Sequence, residues 1–212
     1  MPHETKQSVS GALAGLVASA AWDDVADQGH EAKRSILNFF ATALGSAHDP
    51  AVTRALHALR AFSGDGTSGI IGRSERLDAM CAAFLNAISA NLLDYDDTHP
   101  NTIIHPTAPV MAAVLALAEA RGNSGRDVLI AFILGVEVEC RIGNAVSPAH
   151  YARGWHITST CGVFGAAAAC ARLLGLPADQ IANAIGIAAS QSAGIVENLP
   201  SAAKNVSVGN AA

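Results

Sequence analysis

The residue types best suited to chemistry are concentrated in residues 91–107, NLLDYDDTHPNTIIHPT, which hold three carboxylates and two histidines. Asp94, Asp97 and Thr98 share one face if the preceding apolar helix continues into this segment. We predict that this helix ends near Thr98, because Pro100 disfavours helical geometry in the residue before it. Carboxylates there face the negative end of the helix dipole, which is unfavourable unless a cation, a proton or a substrate compensates. The placement therefore indicates function.

Acid–base chemistry is the function that this segment suits best. His105 stands between Ile104 and Pro106, in a constrained apolar turn, where an imidazole that titrates near neutral pH is well placed for proton transfer. Alternatives stay open. The acidic cluster could bind a divalent metal, although a second metal-binding motif and basic residues spaced for a diphosphate are missing from the sequence. It could also be a solvated acidic turn, with His105 a hydrogen-bonded core histidine.

Three further candidates lie later in the chain. His156, in GWHITSTCG, is followed by three hydroxyl residues that could donate hydrogen bonds to an anionic ligand. Cys161 in the same segment suggests a Cys/His nucleophile, but it adjoins an apolar helix, and a reactive thiol needs an electropositive, partly exposed setting. Lys204 is the only basic residue after Arg172. It is either a solvated surface lysine or the counter-ion of a carboxylate ligand.

The elements that must position these residues all show helical spacing, and no segment alternates with a period of two. The clearest helix covers residues 76–92, and it leads the chain into the acidic segment. Residues 63–72 contain GxGxxG, but a helix precedes the glycines and Ile-Ile follows, so the segment is predicted to be a connector rather than a phosphate-binding loop. The predicted fold class is all-α, with many helices.

Composition limits the partners. The 212 residues are 50% hydrophobic and only 15% charged, with a net charge of -5, and they contain no basic run. A nucleic-acid or anionic-membrane partner is therefore not expected. The first ten residues lack a secretory signal, and the four cysteines lack CxxC spacing, which indicates reduced thiols in a cytoplasmic protein. The apolar run 157–176 contains Arg172, so we expect a buried helix rather than a membrane span.

The chain resembles the MmgE/PrpD family through several segments, among them residues 91–119, GWHITSTCGVFGAAAACARLLGLPADQ and AAKNVSVGNAA. That family includes 2-methylcitrate dehydratase, cis-aconitate decarboxylase and iminodisuccinate epimerase. The resemblance covers essentially the whole chain. It implies that residues 1–212 form the helical domain of this family, and we expect the α/β lid domain that follows in family members to be absent here.

The resemblance also implies roles for particular residues. Asp94, His105 and Thr98 match the catalytic positions, with Asp94 and His105 in proton transfer and Thr98 in a supporting hydrogen bond. His156 and Lys204 match the positions that bind the substrate carboxylates. The expected function is acid–base dehydration of a small di- or tricarboxylate by a homodimer, without metal or cofactor. Decarboxylation or epimerisation of a similar acid is an alternative, as is an inactive helical remnant that only dimerises.

Overall fold

The computed structural model describes residues 8–212, which form a bundle of packed helices. The helices, in chain order, are α1 (Val9–Ser19), α2 (Trp22–Val25), α3 (Gly29–Ser46), α4 (Pro50–Arg60), α5 (Ala79–Asn91), α6 (Thr107–Arg121), α7 (Gly125–Val146), α8 (Ala149–Ala152), α9 (Ile157–Leu173), α10 (Ala178–Ala189) and α11 (Ala202–Ala211). Single 3-10 turns cover Ala26–Gln28 and Val196–Asn198. The predicted all-α class is confirmed. Most of the N-terminal segment in which we expect no secretory signal lies outside the described residues.

The glycine-rich segment connects α4 to α5, as predicted. Two short strands form there, β1 (Ser68–Gly69) and β2 (Arg76–Leu77), and they pair antiparallel with Ser68 opposite Leu77. The Ser68 hydroxyl donates to the Ala116 carbonyl of α6 at 2.7 Å, which fixes the connector on the bundle. Of the three motif glycines, Gly69 lies in β1 and none opens a helix, so the arrangement that a phosphate-binding loop requires is not formed by this segment.

The centre of the bundle is built from α5, α6, α7 and α9, whose facing sides are lined mainly by alanine and other small apolar residues. Close approach between α7 and α9 depends on two glycines. A Cβ added at Gly135 would lie 2.8 Å from the Gly165 carbonyl oxygen, and a Cβ added at Gly165 would lie 2.8 Å from the Gly135 carbonyl oxygen. A larger residue at either position would force the two helices apart, which would cost packing throughout the core.

The Ala/Gly-rich α9 is an internal helix. A Cβ at Gly162 would lie 2.7 Å from the Pro109 ring of α6, so the small-residue face of α9 packs against its own chain. Most of α9 is therefore unavailable to a second copy of the chain. Within residues 8–212, no helix combines the length and the apolar character needed to cross a bilayer.

Candidate active site

The helix that leads into the acidic segment ends at Asn91, earlier than the sequence predicts. The Asn91 carbonyl accepts hydrogen bonds from the Asp94 backbone N–H at 3.3 Å and from Asn205 Nδ2 of α11 at 3.1 Å. Asp94 then takes a φ of 59°, in the left-handed region that residues other than glycine rarely adopt. The helical face predicted for Asp94, Asp97 and Thr98 is therefore wrong, because a tertiary contact ends the helix first.

Asp97 caps the beginning of α6 instead of ending α5. Its Oδ2 accepts from the Thr107 hydroxyl at 2.6 Å, and its Oδ1 accepts from the Thr107 backbone N–H at 3.3 Å. A carboxylate at the N-terminus of a helix satisfies free N–H groups and faces the positive end of the dipole. The unfavourable dipole contact that the sequence suggests for this residue is therefore not formed, and its side chain has a structural task.

A tight turn brings Thr98 and His105 side by side. The His99 N–H donates to the Ile104 carbonyl and the Ile103 N–H donates to the His99 carbonyl, both at 2.8 Å. Ile103 has a φ of 58°, which is unusual for a β-branched residue and indicates that surrounding contacts hold the turn. The result is a Thr98 hydroxyl 3.3 Å from His105 Nδ1.

The His105 ring is oriented from both sides. Its Nδ1 lies 3.1 Å from the Asp97 carbonyl oxygen, and its backbone N–H donates to the Thr158 hydroxyl of α9 at 3.1 Å. A carbonyl can only accept, so Nδ1 carries the hydrogen in this contact. Nε2 is therefore the nitrogen that can exchange a proton, and it lies 3.8 Å from Asp94 Oδ1.

Lys204 is a buried cation that reaches across to the acidic turn. Its ammonium donates to Asp94 Oδ1, and only 9% of the lysine is exposed whereas the Asp94 side chain is mostly open. The hydrogen bond from Lys204 holds the pKa of Asp94 below its usual range, assisted by the charges of Lys204 and His105 and opposed by partial burial. The pair is an ammonium beside an ionised carboxylate at neutral pH.

Asp96 is a buried carboxylate of the same turn. Its Oδ2 accepts from Asn91 Nδ2 at 2.8 Å, and Asn91 is itself held by Asn205, whose amide donates to Asn91 Oδ1 at 3.1 Å. Its Oδ1 has no hydrogen-bond partner among the described residues and lies 3.6 Å from His105 Nδ1. Burial raises the pKa of Asp96, and the His105 charge and the Asn91 hydrogen bond oppose that rise.

His156 precedes α9 and is 4% exposed. Its Nδ1 lies 2.6 Å from the Ser159 hydroxyl, which lies 2.7 Å from the Ser207 hydroxyl of α11. The pKa of His156 is lowered to about 4, mainly by burial and also by the positive charges of Lys204 and His105, while Asp94 opposes them. The imidazole is therefore neutral at neutral pH, and it can bind a ligand through hydrogen bonds but not as a cation.

The five residues selected from the sequence thus meet at the ends of α5, α9 and α11. Asp94, Thr98, His105 and Lys204 are linked by direct contacts, and His156 is near enough for the charges of the other residues to affect its pKa. Their chemical roles stay predictions. Sequence reasoning did not select four other members: Asn91, Asp96, Asn205 and Ser207. The signal for Asp96 is its place in DYDD, whereas only the folded chain joins Asn91 to Asn205.

The cluster could in principle hold a cation, since Asp94, Asp96 and His105 offer atoms within 4.8 Å of one another. Lys204 donates to the same Asp94 oxygen, however, and a divalent ion there would lie beside a fixed positive charge. This charge balance favours the internal ion pair over a metal ligand set.

The Cys/His nucleophile finds no support in the geometry. Cys161 is 2% exposed, and burial raises the pKa of its thiol to about 12, so the thiol stays protonated. The hydroxyls after His156 are also inside the protein: Thr158, which accepts from the His105 N–H, is 0% exposed, and Thr160, whose hydrogen goes to the His156 carbonyl at 3.2 Å, is 3% exposed. Free hydroxyl donors for an anionic ligand, as suggested by the sequence, are therefore not supplied by these two residues.

Comparison with known proteins places this geometry in context. A family model described as the MmgE/PrpD N-terminal domain matches residues 11–212. A cis-aconitate decarboxylase-like protein of Aspergillus oryzae is 32% identical over 182 residues, which are 82% of this chain and 38% of the relative. The cis-aconitate decarboxylase of Aspergillus terreus is 30% identical over 198 residues, 90% of this chain and 40% of the relative.

A mammalian relative is similar over the full chain. The cis-aconitate decarboxylase of Mus musculus is 30% identical over 219 residues, which cover 100% of this chain and 44% of the relative. The chain therefore spans about two fifths of the length of these curated relatives.

Proposed function

This chain belongs to the MmgE/PrpD family, and on that premise we propose that it carries the acid–base residues of a lyase acting on a small di- or tricarboxylic acid. The observation that carries the proposal is the surroundings of His105, whose Nε2 faces Asp94 while its Nδ1 side is occupied by the Asp97 carbonyl and by Asp96. A ring held in this way can gain or lose a proton at one nitrogen only. Such single-site exchange is what a general acid or base needs.

The neighbouring charges suit a proton-transfer cycle. When Nε2 gains a proton the ring becomes an imidazolium, and the carboxylates of Asp94 and Asp96, at 3.8 and 3.6 Å, stabilise it. When the proton leaves, Thr98 and the Asp97 carbonyl still hold the ring in place. Asp96 is buried and braced by Asn91, so it acts on the ring and not on the substrate.

Lys204 is the proposed anchor for a substrate carboxylate. An ammonium has several N–H donors, and one contact to Asp94 leaves others for a second anion. Because the lysine is largely buried, the charge acts in a low-dielectric setting, where it stabilises a carboxylate more strongly than it would in water.

Decarboxylation is the reaction to test first, since the relatives carry the name cis-aconitate decarboxylase. In that reaction the bond between a carbon and its carboxylate breaks, carbon dioxide leaves, and the electron pair stays on the carbon. The His105 imidazolium then gives its Nε2 proton to that carbon. Dehydration, the reaction favoured by the sequence analysis, uses the same ring in reverse: Nε2 takes a proton from the carbon next to a carboxylate and a carbon–carbon double bond forms. The hydroxyl on the adjacent carbon leaves as hydroxide, and this hydroxide takes the proton from the His105 imidazolium to become water.

A substrate panel tests the proposal. The 212-residue chain and a version extended past Ala212 are incubated in D2O with cis-aconitate, 2-methylcitrate and citrate, and the products are followed by NMR. We expect deuterium at the carbon next to a carboxylate, with loss of carbon dioxide or of water identifying the reaction. Absence of exchange and turnover in both versions with every acid would refute the lyase and favour the helical remnant.

Two further expectations concern the oligomeric state and the cellular compartment. We infer a cytoplasmic homodimer whose interface lies outside the internal face of α9. Sedimentation velocity at several protein concentrations measures the assembly. A single species with the mass of one chain at all concentrations would refute the dimer.

A further inference from the structure

A row of hydrogen bonds runs from His156 to the main chain beside Lys204. His156 Nδ1 lies 2.6 Å from Ser159 Oγ, and Ser159 Oγ lies 2.7 Å from Ser207 Oγ. Ser207 Oγ in turn donates to the Lys204 carbonyl at 2.6 Å. The row links the beginning of α9 to α11 and connects His156 to the main chain of Lys204 through two serine hydroxyls.

The directions of these bonds follow from the number of hydrogens. A hydroxyl has a single hydrogen, and Ser207 uses its hydrogen on the Lys204 carbonyl, which can only accept. Ser159 must therefore donate its one hydroxyl hydrogen to Ser207 Oγ. Ser159 is left as an acceptor toward His156, so the hydrogen between them belongs to His156 Nδ1.

Close packing around Ser159 holds this row of hydrogen bonds in place. Ser159 is 1% exposed, and a Cβ added at Gly194 would lie 2.7 Å from the Ser159 Cβ, so the glycine allows the segment before α11 to close over the serine. The Gly194 carbonyl also accepts from the His156 backbone N–H at 3.1 Å. Gly194 has a φ of 128°, which glycine adopts without the strain that a side chain would cause.

We propose that Ser207 and Ser159 are positioning residues that hold His156 in the Nδ1–H tautomer, so that its Nε2 accepts a hydrogen bond from a hydroxyl or protonated carboxyl of the bound acid. This proposal rests on the proposed function, because it assigns a task to His156 within the same site. It gives His156 a role different from the carboxylate binding expected from the sequence. An ionised carboxylate has no hydrogen to donate, and two acceptors facing each other repel.

The charge state of His156 supports this role. Burial and the nearby Lys204 ammonium both oppose a second proton on the ring, so the neutral form with a single N–H is the one present near neutral pH. Lys204 and His156 then bind different groups of the ligand: the Lys204 ammonium binds an ionised carboxylate, and His156 Nε2 accepts a hydrogen bond from a donor. The ligand class that fits both is a hydroxy acid, or a polycarboxylic acid with one carboxyl protonated.

Substitution Ser207→Ala tests the tautomer without touching the ligand-binding groups. The chain is labelled with 15N-histidine, and ring nitrogen shifts at neutral pH report which nitrogen of His156 carries the hydrogen. We expect Nδ1–H in the wild type. In the variant, Ser159 loses its acceptor and can donate to Nδ1, so Nε2–H should become the major form.

Ser190→Ala is the matched control, since the Ser190 hydroxyl donates to the Ile187 carbonyl of α10 and has no link to His156. It should keep the wild-type tautomer. Nε2–H in the wild type, or an unchanged tautomer in Ser207→Ala, would overturn the proposal. If Ser207→Ala does not fold, Ser159→Ala tests the row from its other end, and an unchanged Nδ1–H preference there would also overturn it.

A binding comparison tests the ligand class. Calorimetry measures the affinity for citrate and for propane-1,2,3-tricarboxylate, which lacks the hydroxyl. The ratio of the affinity for citrate to that for propane-1,2,3-tricarboxylate should fall about tenfold in Ser207→Ala. A tenfold change corresponds to the loss of one hydrogen bond whose contribution is near the upper end of the usual range. An equal preference in both proteins would overturn the assignment of Nε2. These measurements need no turnover, so the lyase proposal can fail on the substrate panel while the tautomer result stands, and the reverse also holds.

Discussion

Lys204 and Asp94 are 110 residues apart in the sequence, and the lysine ammonium donates to the aspartate Oδ1. The contact joins α11 to the turn that follows α5 and places a buried positive charge beside His105. It balances the carboxylates of the acidic segment from within the protein. From the sequence, these carboxylates require a cation, a proton or a substrate to offset their negative charge. A lysine near the other end of the chain supplies that positive charge.

Removing the Lys204 charge should weaken substrate binding. In Lys204→Met we expect KM to rise tenfold or more, because a carboxylate loses a charge-assisted hydrogen bond of roughly 1.5–3 kcal/mol. Lys33→Met, on the exposed side of α3, removes the same charge away from the site and should leave KM unchanged. Steady-state kinetics measures both. A KM in Lys204→Met equal to that of the Lys33 variant would contradict the anchor role.

Removing the His105 ring should abolish proton transfer. We expect His105→Ala to lower kcat by about a hundredfold or more, as when a general acid or base is lost. His57→Ala, on the exposed face of α4, is the control and should keep wild-type kcat. Circular dichroism establishes that both variants are folded. Wild-type kcat in a folded His105→Ala protein would end the assignment.

Asp96 should act on the rate and not on binding. In Asp96→Asn the amide can still accept from Asn91, but the charge 3.6 Å from the ring is lost and the imidazolium is less stable. We expect kcat to fall about tenfold with KM nearly unchanged, because the lost charge stabilises only the charged form of the ring. Asp65→Asn, in an exposed loop, should change neither. A large rise in KM with an unchanged kcat would instead indicate a structural role.

Glu139 of α7 should make the fold less stable as pH rises. The residue is fully buried, neither carboxyl oxygen has a hydrogen-bond partner among the described residues, and burial raises its pKa well above the usual value. Above the pKa of the unfolded chain, only the folded state holds this proton, so the free energy of unfolding falls by up to about 1.4 kcal/mol per pH unit until the folded pKa is reached.

Glu139→Gln removes this titration. The stability of the variant relative to wild type should increase from about pH 5 upward in urea unfolding experiments. Glu137→Gln, at a partly exposed residue paired with Arg141 one turn away, is the control and should not show this increase. A pH-independent difference between Glu139→Gln and wild type would show that Glu139 titrates alike in both states.

A chelator should leave activity unchanged, because Lys204 already supplies the positive charge beside Asp94. Turnover is measured before and after dialysis against EDTA, with and without added magnesium. Loss of activity that magnesium restores would favour the metal alternative for the acidic segment.

The sequence by itself determined the fold class and selected five residues that the fold brings together as a candidate site. Helical spacing is a local property, and the burial of one face of each helix depends on it, so an all-α bundle follows from the pattern alone. The density of acids and imidazoles in residues 91–107 likewise marks a candidate site without any tertiary information.

Tertiary structure decided how these residues are used. Asn205 bonds to Asn91 from 114 residues away and ties the end of α5 to α11, where the local pattern favours a longer helix. Asp96 looks like its exposed neighbours in the sequence, but the fold buries it beside His105. The proposed tautomer of His156 depends on Ser207, on a different helix. Hydrogen-bond partners and burial are set by distant segments, and no local spacing encodes them.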